Sequence, residues 1–351
     1  MKLYLQTHTD TPSILLIYTG GTIGMMENPG NGALEPFDFG HLEYNMPELK
    51  KLGYTVNAHE FTPPVDSSDM GPGGWREIVK IISNEYHRYD GFVVLHGTDT
   101  MSYTASALSF MLENLGKPVI FTGSQLPIGM LRTDGKENLI TAIEIAAAQD
   151  NGRPAVPEVC IFFENTLFRA NRTRKVNTDN FNAFRSYNYP PLAYAGVNIR
   201  YDRQHIYRPA LPKPLRAHYS LDSNIAVLKL FPGISPATVQ SILNIEGLKA
   251  VVMETFGSGN APGDEWLVNM LKAAVDGGTV IVNVTQCMCG TVEMRRYNAG
   301  RSLLEAGVIS GYDITTESAL TKLMFLFGQG MSASEASEHM KCSLIGEVTV
   351  I

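Results

Sequence analysis

A chain of 351 residues, 44% hydrophobic and 18% charged, has the composition of an ordinary soluble globular protein; bulk disorder is excluded, and two domains of about 100–200 residues each are expected. The formal charge of −7 at pH 7 argues against a broad nucleic-acid footprint. No stretch approaches the roughly 20 apolar residues of a membrane span, the first residues carry no signal-peptide pattern, and four cysteines make no disulfide framework, so a cytoplasmic, reducing setting is expected.

The apolar run 14–18 predicts a buried strand. It leaves through Thr19-Gly20-Gly21-Thr22-Ile23-Gly24, three glycines interleaved with two hydroxyls. Glycines permit positive φ and close backbone approach, which suits a phosphate cradle, a turn presenting Thr19 and Thr22 to a small substrate, or a tight turn with no ligand. A second strand over 55–61 runs into the loop 63–70, PPVDSSDM, which carries Asp66, Ser67, Ser68 and Asp69. Strands over 91–96, 119–122 and 158–163 then alternate with helical patterns over 75–88, 102–115 and 136–148, the grammar of an α/β fold with a mostly parallel sheet.

The stretch 205–223, with Pro209, Pro212 and Pro214, cannot continue a helix or a central strand and reads as a linker. Beyond it the pattern restarts, with strands over 225–230, 250–254 and 280–284 and helices over 236–246, 264–276, 301–305 and 320–328. The predicted organisation is a larger N-terminal domain over 1–204, with a mostly parallel sheet and flanking helices, a linker over 205–223, and a smaller C-terminal α/β domain over 224–351.

Open α/β sheets bind ligands beyond the carboxyl ends of their strands. Three polar turns sit at such ends, 19–24, 96–100 (HGTDT) and 122–127 (TGSQLP), and they are expected to cluster with the loop 63–70. A threonine that attacks a carbonyl needs a proton acceptor and donors for the oxyanion. Thr22 and Thr98 are the candidates; Asp99 is suited to hold a substrate ammonium or orient a basic group, and the glycine-flanked backbone N–H groups are suited to form the hole. His96, at the end of a buried strand, reads as a packed core histidine rather than a base. A lysine can take part if its charge is suppressed, and 168–181, FRANRTRKVNTDNF, offers Arg169, Arg172, Arg174 and Lys175. By default each is a solvated surface charge, and spacing does not choose among them. Cys287 and Cys289 form a lone C-x-C with no zinc spacing around it, which predicts buried thiols and no metal site. The residues by themselves therefore reach a hydrolytic small-molecule site built from Thr, Ser, Asp and Lys at sheet edges.

Taken in order, YTGGTIGM, VDSSDM, the run 90–127 around HGTDT and TGSQLP, RTDGKENL, NRTRKVNTDNFNAF, FGSGNAP and NVTQCMCGTV closely resemble the L-asparaginases of the bacterial cytoplasmic type I group, over nearly the whole chain from 14 to 348. The resemblance implies cofactor-free and metal-free hydrolysis of L-asparagine to L-aspartate and ammonia. It makes Thr22 the nucleophile and Thr98, Asp99 and Lys175 a second catalytic group. It assigns Asp66, Ser67 and Ser68, together with Thr98 and Asp99, to holding the substrate. It also implies a homodimer or homotetramer in which the partner's C-terminal domain closes each site, with Asn260 a candidate for that contribution, and no nucleic-acid or membrane partner.

Two departures qualify the match. Many members carry a lid tyrosine shortly after the nucleophile; Ala33 stands there, and Tyr297 in MRRYNAG is the candidate replacement, reaching over from a partner subunit. Some cytoplasmic relatives bind asparagine at a regulatory site through an arginine at the position of Glu254, with residues matching Thr285 and Cys287. A carboxylate there would repel the ligand's own carboxylate, so regulation by those contacts is not expected. A rival within the family, the asparaginase-like subunit of the archaeal glutamyl-tRNA amidotransferase, carries an amino-terminal extension where 13 residues precede Ile14 here. A nucleotide-binding module is opposed by the absence of a P-loop Lys-Ser/Thr and of an acidic residue at Rossmann spacing.

Overall fold

The computed structural model describes residues 11–27, 34–36, 47–208, 213–296 and 298–350. Four short apolar runs form parallel strands, buried almost throughout: β1 (Ser13–Tyr18), β3 (Gly91–Leu95), β4 (Val119–Thr122) and β5 (Val159–Phe163); the more polar and largely exposed β2 (Thr55–Glu60) joins them as the parallel edge strand. They lie in the order β2-β1-β3-β4-β5, with Ile14 between Val56 and Gly91. Strand order reverses between β1 and β3, so a crevice opens at their carboxyl ends. The sheet continues with antiparallel strands β6 (Thr166–Arg169), β7 (Ala193–Ala195) and β8 (Ile199–Tyr201). Helices α1 (Pro72–Glu85), α2 (Met101–Met111) and α3 (Gly135–Ala147) flank it.

Pleating sends successive side chains to opposite faces, and each face finds its own helices. Ile14, Leu16, Val93 and Leu95 pack with Leu139 and Ile143 of α3. Leu15, Ile17, Phe92 and Val94 pack with Ile78 and Ile82 of α1 and Leu108 of α2.

A four-stranded parallel sheet follows in simple sequential order: β9 (Ile225–Lys229), β10 (Ala250–Thr255), β11 (Val280–Thr285) and β12 (Ile309–Ser310). Helices α4 (Pro236–Leu243) and α5 (Glu265–Asp276) cover one face. After α6 (Asn298–Glu305), helices α7 (Thr316–Gly328) and α8 (Ala333–Met340) cover the other. The architecture is thus α/β: a large, mostly parallel sheet flanked by helices, then a smaller α/β layer. Among the described residues no helix is long and apolar enough to cross a membrane.

Several local expectations change. The helical pattern predicted to reach residue 115 stops at Met111, because Leu112–Glu113 pairs antiparallel with Arg216–Ala217 and the His218 N–H donates to the Met111 carbonyl at 2.8 Å. Part of the predicted linker is therefore laid down as sheet against the first layer. Arg169 and Arg172 are not solvated surface charges: they are 5% and 3% exposed and paired with Glu158 at 2.6 Å and Asp313 at 2.9 Å. Cys287 and Cys289, expected to be buried thiols, are exposed; only Cys160 is buried. Helix α8 escaped the sequence pattern, although its start carries a capping box, Ser332 with Glu335.

Candidate active site

The polar turns at the ends of β1, β3 and β4 meet, and glycine is the reason they can. Gly20 and Gly21 take φ of +134° and +92°, in the region that L side chains avoid. A Cβ on Gly20 would lie 2.1 Å from the Val65 carbonyl oxygen, and one on Gly21 would lie 2.5 Å from the backbone of Gly97. A Cβ on Gly97 would meet the Ser67 hydroxyl at 2.4 Å, and one on Gly123 the His96 carbonyl at 2.5 Å. The three strand ends and the loop carrying Asp66 are thereby stacked backbone on backbone, tied by Thr19 N to Leu95 O at 3.0 Å and Val65 N to Thr19 O at 2.7 Å. Thr22, exposed, opens the short 3-10 turn Thr22–Gly24 directly after the Gly21–Gly97 contact, and Thr98 follows that contact on the other strand. Beyond Thr22 the chain forms a ribbon, Met25–Glu27 against Leu34–Pro36. Ala33 and Tyr297 both lie outside the described residues.

Lys175 closes the arrangement from the far side. Its Nζ donates to Thr98 Oγ1 at 2.7 Å and to Asp99 Oδ1 at 2.6 Å. The lysine side chain is 16% exposed and the Asp99 side chain 65%. An ammonium only donates, so Thr98 Oγ1 must accept from it, and the threonine's own proton remains free for another acceptor. Lys175 sits in the short strand Arg174–Lys175, paired antiparallel with Phe184–Arg185.

Asp66 caps the turn Ser67–Asp69 and accepts from both the Ser68 N–H and the Ser68 hydroxyl at 2.8 Å. These two bonds hold its carboxyl below the ordinary aspartate value, so an exposed carboxylate faces solvent beside the crevice. Ser67 is buried and its carbonyl accepts from Thr100 Oγ1 at 2.6 Å, which joins this loop to the turn after β3; Ser68 is exposed.

His96 is a core residue, 1% exposed. Burial pushes its pKa down to about 4. The Trp75 indole N–H donates to Thr104 Oγ1 at 3.0 Å, so that hydroxyl turns its proton to His96 Nε2 at 3.0 Å, and Nδ1–H donates to the Gly97 carbonyl at 2.7 Å. Both ring nitrogens are occupied, and the neutral imidazole shapes the turn instead of exchanging protons.

No motif or spacing in the sequence points to Glu317. It stands in the first turn of α7, in the second layer, and receives the Arg174 guanidinium at 3.2 Å. A cavity of about 500 Å³ is lined by Asp99, Ser102, Tyr103, Lys175, Asn177 and Glu317. Burial raises the Glu317 carboxyl, and Arg174 pulls it back. Of the residues assigned by resemblance outside this cluster, Asn260 is half-buried in the turn after β10, bridged to Phe256. Glu254 is buried and bound by Lys229 at 3.2 Å and by Thr316 Oγ1 at 2.8 Å. Thr285 Oγ1 donates to the Gly257 carbonyl at 2.5 Å and accepts from the Cys287 N–H at 3.0 Å.

Two family models match the chain: Asparaginase, N-terminal, over residues 13–207, and Glutaminase/Asparaginase C-terminal domain, over 224–340. L-asparaginase 1 of Escherichia coli (strain K12) is 45% identical over 345 residues, which are 96% of this chain and 98% of that protein. A 60 kDa lysophospholipase of Mus musculus is 42% identical over 96% of this chain, which spans 62% of that longer protein. The crystal structure of L-asparaginase I from Vibrio cholerae superposes with a TM-score of 0.87 at 44% identity, covering 97% of this chain and all of the other. Sequence and architecture agree over nearly all of the chain, which belongs to the asparaginase family.

Proposed function

We propose that this chain is an L-asparaginase, an amidohydrolase that converts L-asparagine and water to L-aspartate and ammonia through an acyl-enzyme on Thr22. The observation that carries the reading is the Lys175 ammonium held between Thr98 Oγ1 and Asp99 Oδ1, beside the Gly21–Gly97 contact from which Thr22 emerges. Asp66 and Asp99 offer carboxylates to the substrate's α-ammonium, Ser67 offers a hydroxyl donor to its α-carboxylate, and Ser68, whose N–H and hydroxyl both donate to Asp66, orients that carboxylate toward the substrate. Thr22 Oγ attacks the side-chain amide carbon. Backbone N–H groups of the glycine turns face the developing oxyanion. The hydroxyl proton passes to the departing nitrogen, the C–N bond breaks, and ammonia leaves. Water then adds to the ester, its proton returns to Thr22 Oγ, and L-aspartate is released. The Thr98 hydroxyl, with Lys175 on its oxygen, is suited to orient that water or relay its proton.

The same reading makes the protein a homodimer or homotetramer, in which Tyr297 of a partner fills the place of the absent lid tyrosine and Asn260 borders the neighbouring site. It divides the chain at 1–204, 205–223 and 224–351, a division supported by the gap between the two family matches. A cytoplasmic setting is supported by four free thiols.

Ammonia release from L-asparagine and L-glutamine, measured side by side, tests the reaction. Turnover of L-asparagine is expected, and release from neither by folded protein removes the reading. Thr22→Ala is expected to lower kcat by several orders of magnitude; a tenth of wild-type turnover would move the nucleophile elsewhere. Tyr297→Phe with full kcat would remove the tyrosine from the scheme.

A further inference from the structure

We propose that Glu317 is a positioning residue for Lys175, acting through Arg174, so that the second layer of the same chain holds the lysine in register with Thr98 and Asp99. The inference rests on the catalytic assignment of Lys175 given above. Arg174 and Lys175 occupy a strand only two residues long, facing Arg185 and Phe184. So short a ribbon has little stability of its own, and the lysine stem carries four rotatable carbons that must be held still.

Successive side chains leave a strand on opposite sides. While Lys175 Nζ reaches Thr98 and Asp99, the Arg174 guanidinium reaches the first turn of α7, where its Nε lies 3.2 Å from the Glu317 carboxylate. The two side chains are 22% and 9% exposed, so the pair is screened far less than a surface ion pair. Glu317 stands near the helix N-terminus, where the peptide dipoles favour a carboxylate. Tyr103 lies on the same cavity wall, its phenol pushed up chiefly by burial and next by Glu317.

The other half of the lysine bond is referenced to the same helix. Thr98 and Asp99 lead into α2, and α2 packs on α7, with the Phe110 and Phe325 rings stacked at 6.1 Å between centroids. Helix α7 therefore grips both the strand that carries Lys175 and the helix that follows its acceptors. Loss of the Glu317 charge frees Arg174 to turn toward solvent and lets the two-residue strand drift. A displacement of about 1 Å at a reacting group costs on the order of 100-fold in rate.

The experiment compares kcat and KM for L-asparagine in Glu317→Gln, Arg174→Met, Arg174→Lys and the Glu317→Gln/Arg174→Met double variant, with Lys175→Met as control and folding checked by circular dichroism. Glu317→Gln and Arg174→Met are each expected to lower kcat by about 10-fold or more with KM within about twofold. The double variant should be no slower than the slower single, because both remove one interaction, and Arg174→Lys should recover part of the loss. Folded Glu317→Gln with wild-type kcat, or single effects that multiply in the double variant, would overturn the proposal. If Glu317→Gln does not fold, Arg174→Met and Arg174→Lys decide by the same criterion. An active Lys175→Met would instead overturn the assignment of the lysine, which separates the two failures.

Discussion

Replacing His96 by glutamine tests whether the imidazole is kept neutral by burial. In the folded chain its pKa is lowered from 6.5 to about 4, the main cause being the loss of water around the ring. Below pH 6.5 the unfolded chain binds a proton at this position that the folded chain refuses, so stability falls as pH falls through that window. Integrating the two titrations gives a loss of about 2 kcal/mol by pH 5 and about 3 kcal/mol by pH 4. Glutamine has no titration in this range, so the contribution vanishes in His96→Gln, whatever constant packing cost the substitution adds. Urea unfolding followed by tryptophan fluorescence at pH 7.5, 6 and 5 supplies the comparison. The stability advantage of wild type over the variant is expected to shrink by about 2 kcal/mol between pH 7.5 and pH 5. A difference that stays constant across the series would refute the argument and return His96 to the list of possible proton carriers.

Gly21→Ala should lower both the melting temperature and kcat, since its Cβ would sit 2.5 Å from the Gly97 backbone at a φ of +92°. Gly53→Ala is the control: its φ is +70° with nothing within 4 Å, so it should lose about 1 kcal/mol of stability and no turnover; wild-type kcat in Gly21→Ala would show that the turn has no part in the site. Asp66→Ala should raise KM for L-asparagine about 10-fold or more with little change in kcat, because the carboxylate holds the ground and transition states alike. Two hydrogen bonds from Ser68 hold the Asp66 pKa below its ordinary value, so the carboxylate is still ionised at about pH 5 and KM should not change between about pH 7 and pH 5; a rise in KM over that range in steady-state kinetics would count against that role.

The positions of the polar turns were legible from local pattern alone. Apolar runs of strand length mark β1, β3 and β4, and the residues that follow each run must lie at one edge of a parallel sheet; Thr22, Thr98 and Asp99 were placed there without any tertiary contact. Glycines at 20, 21 and 97 could be flagged as sites of close approach, but what approaches them is a neighbour dozens of residues away, and only the folded chain names Val65, Gly97 and Ser67. Lys175 could not be told from Arg169, Arg172 and Arg174, because four cations within seven residues look alike until partners are assigned. Glu158, Asp313 and Glu317 take the three arginines, and the lysine is left to Thr98 and Asp99. The Arg174–Glu317 pair spans 143 residues of sequence, and no periodicity or motif records a contact of that separation. Exposure of Cys287 and Cys289 and the pairing of Arg216–Ala217 with Leu112–Glu113 escaped for the same reason. Backbone propensity and side-chain periodicity act over a few residues and settle elements, whereas burial and charge pairing are set by whatever the packed layers bring opposite each residue.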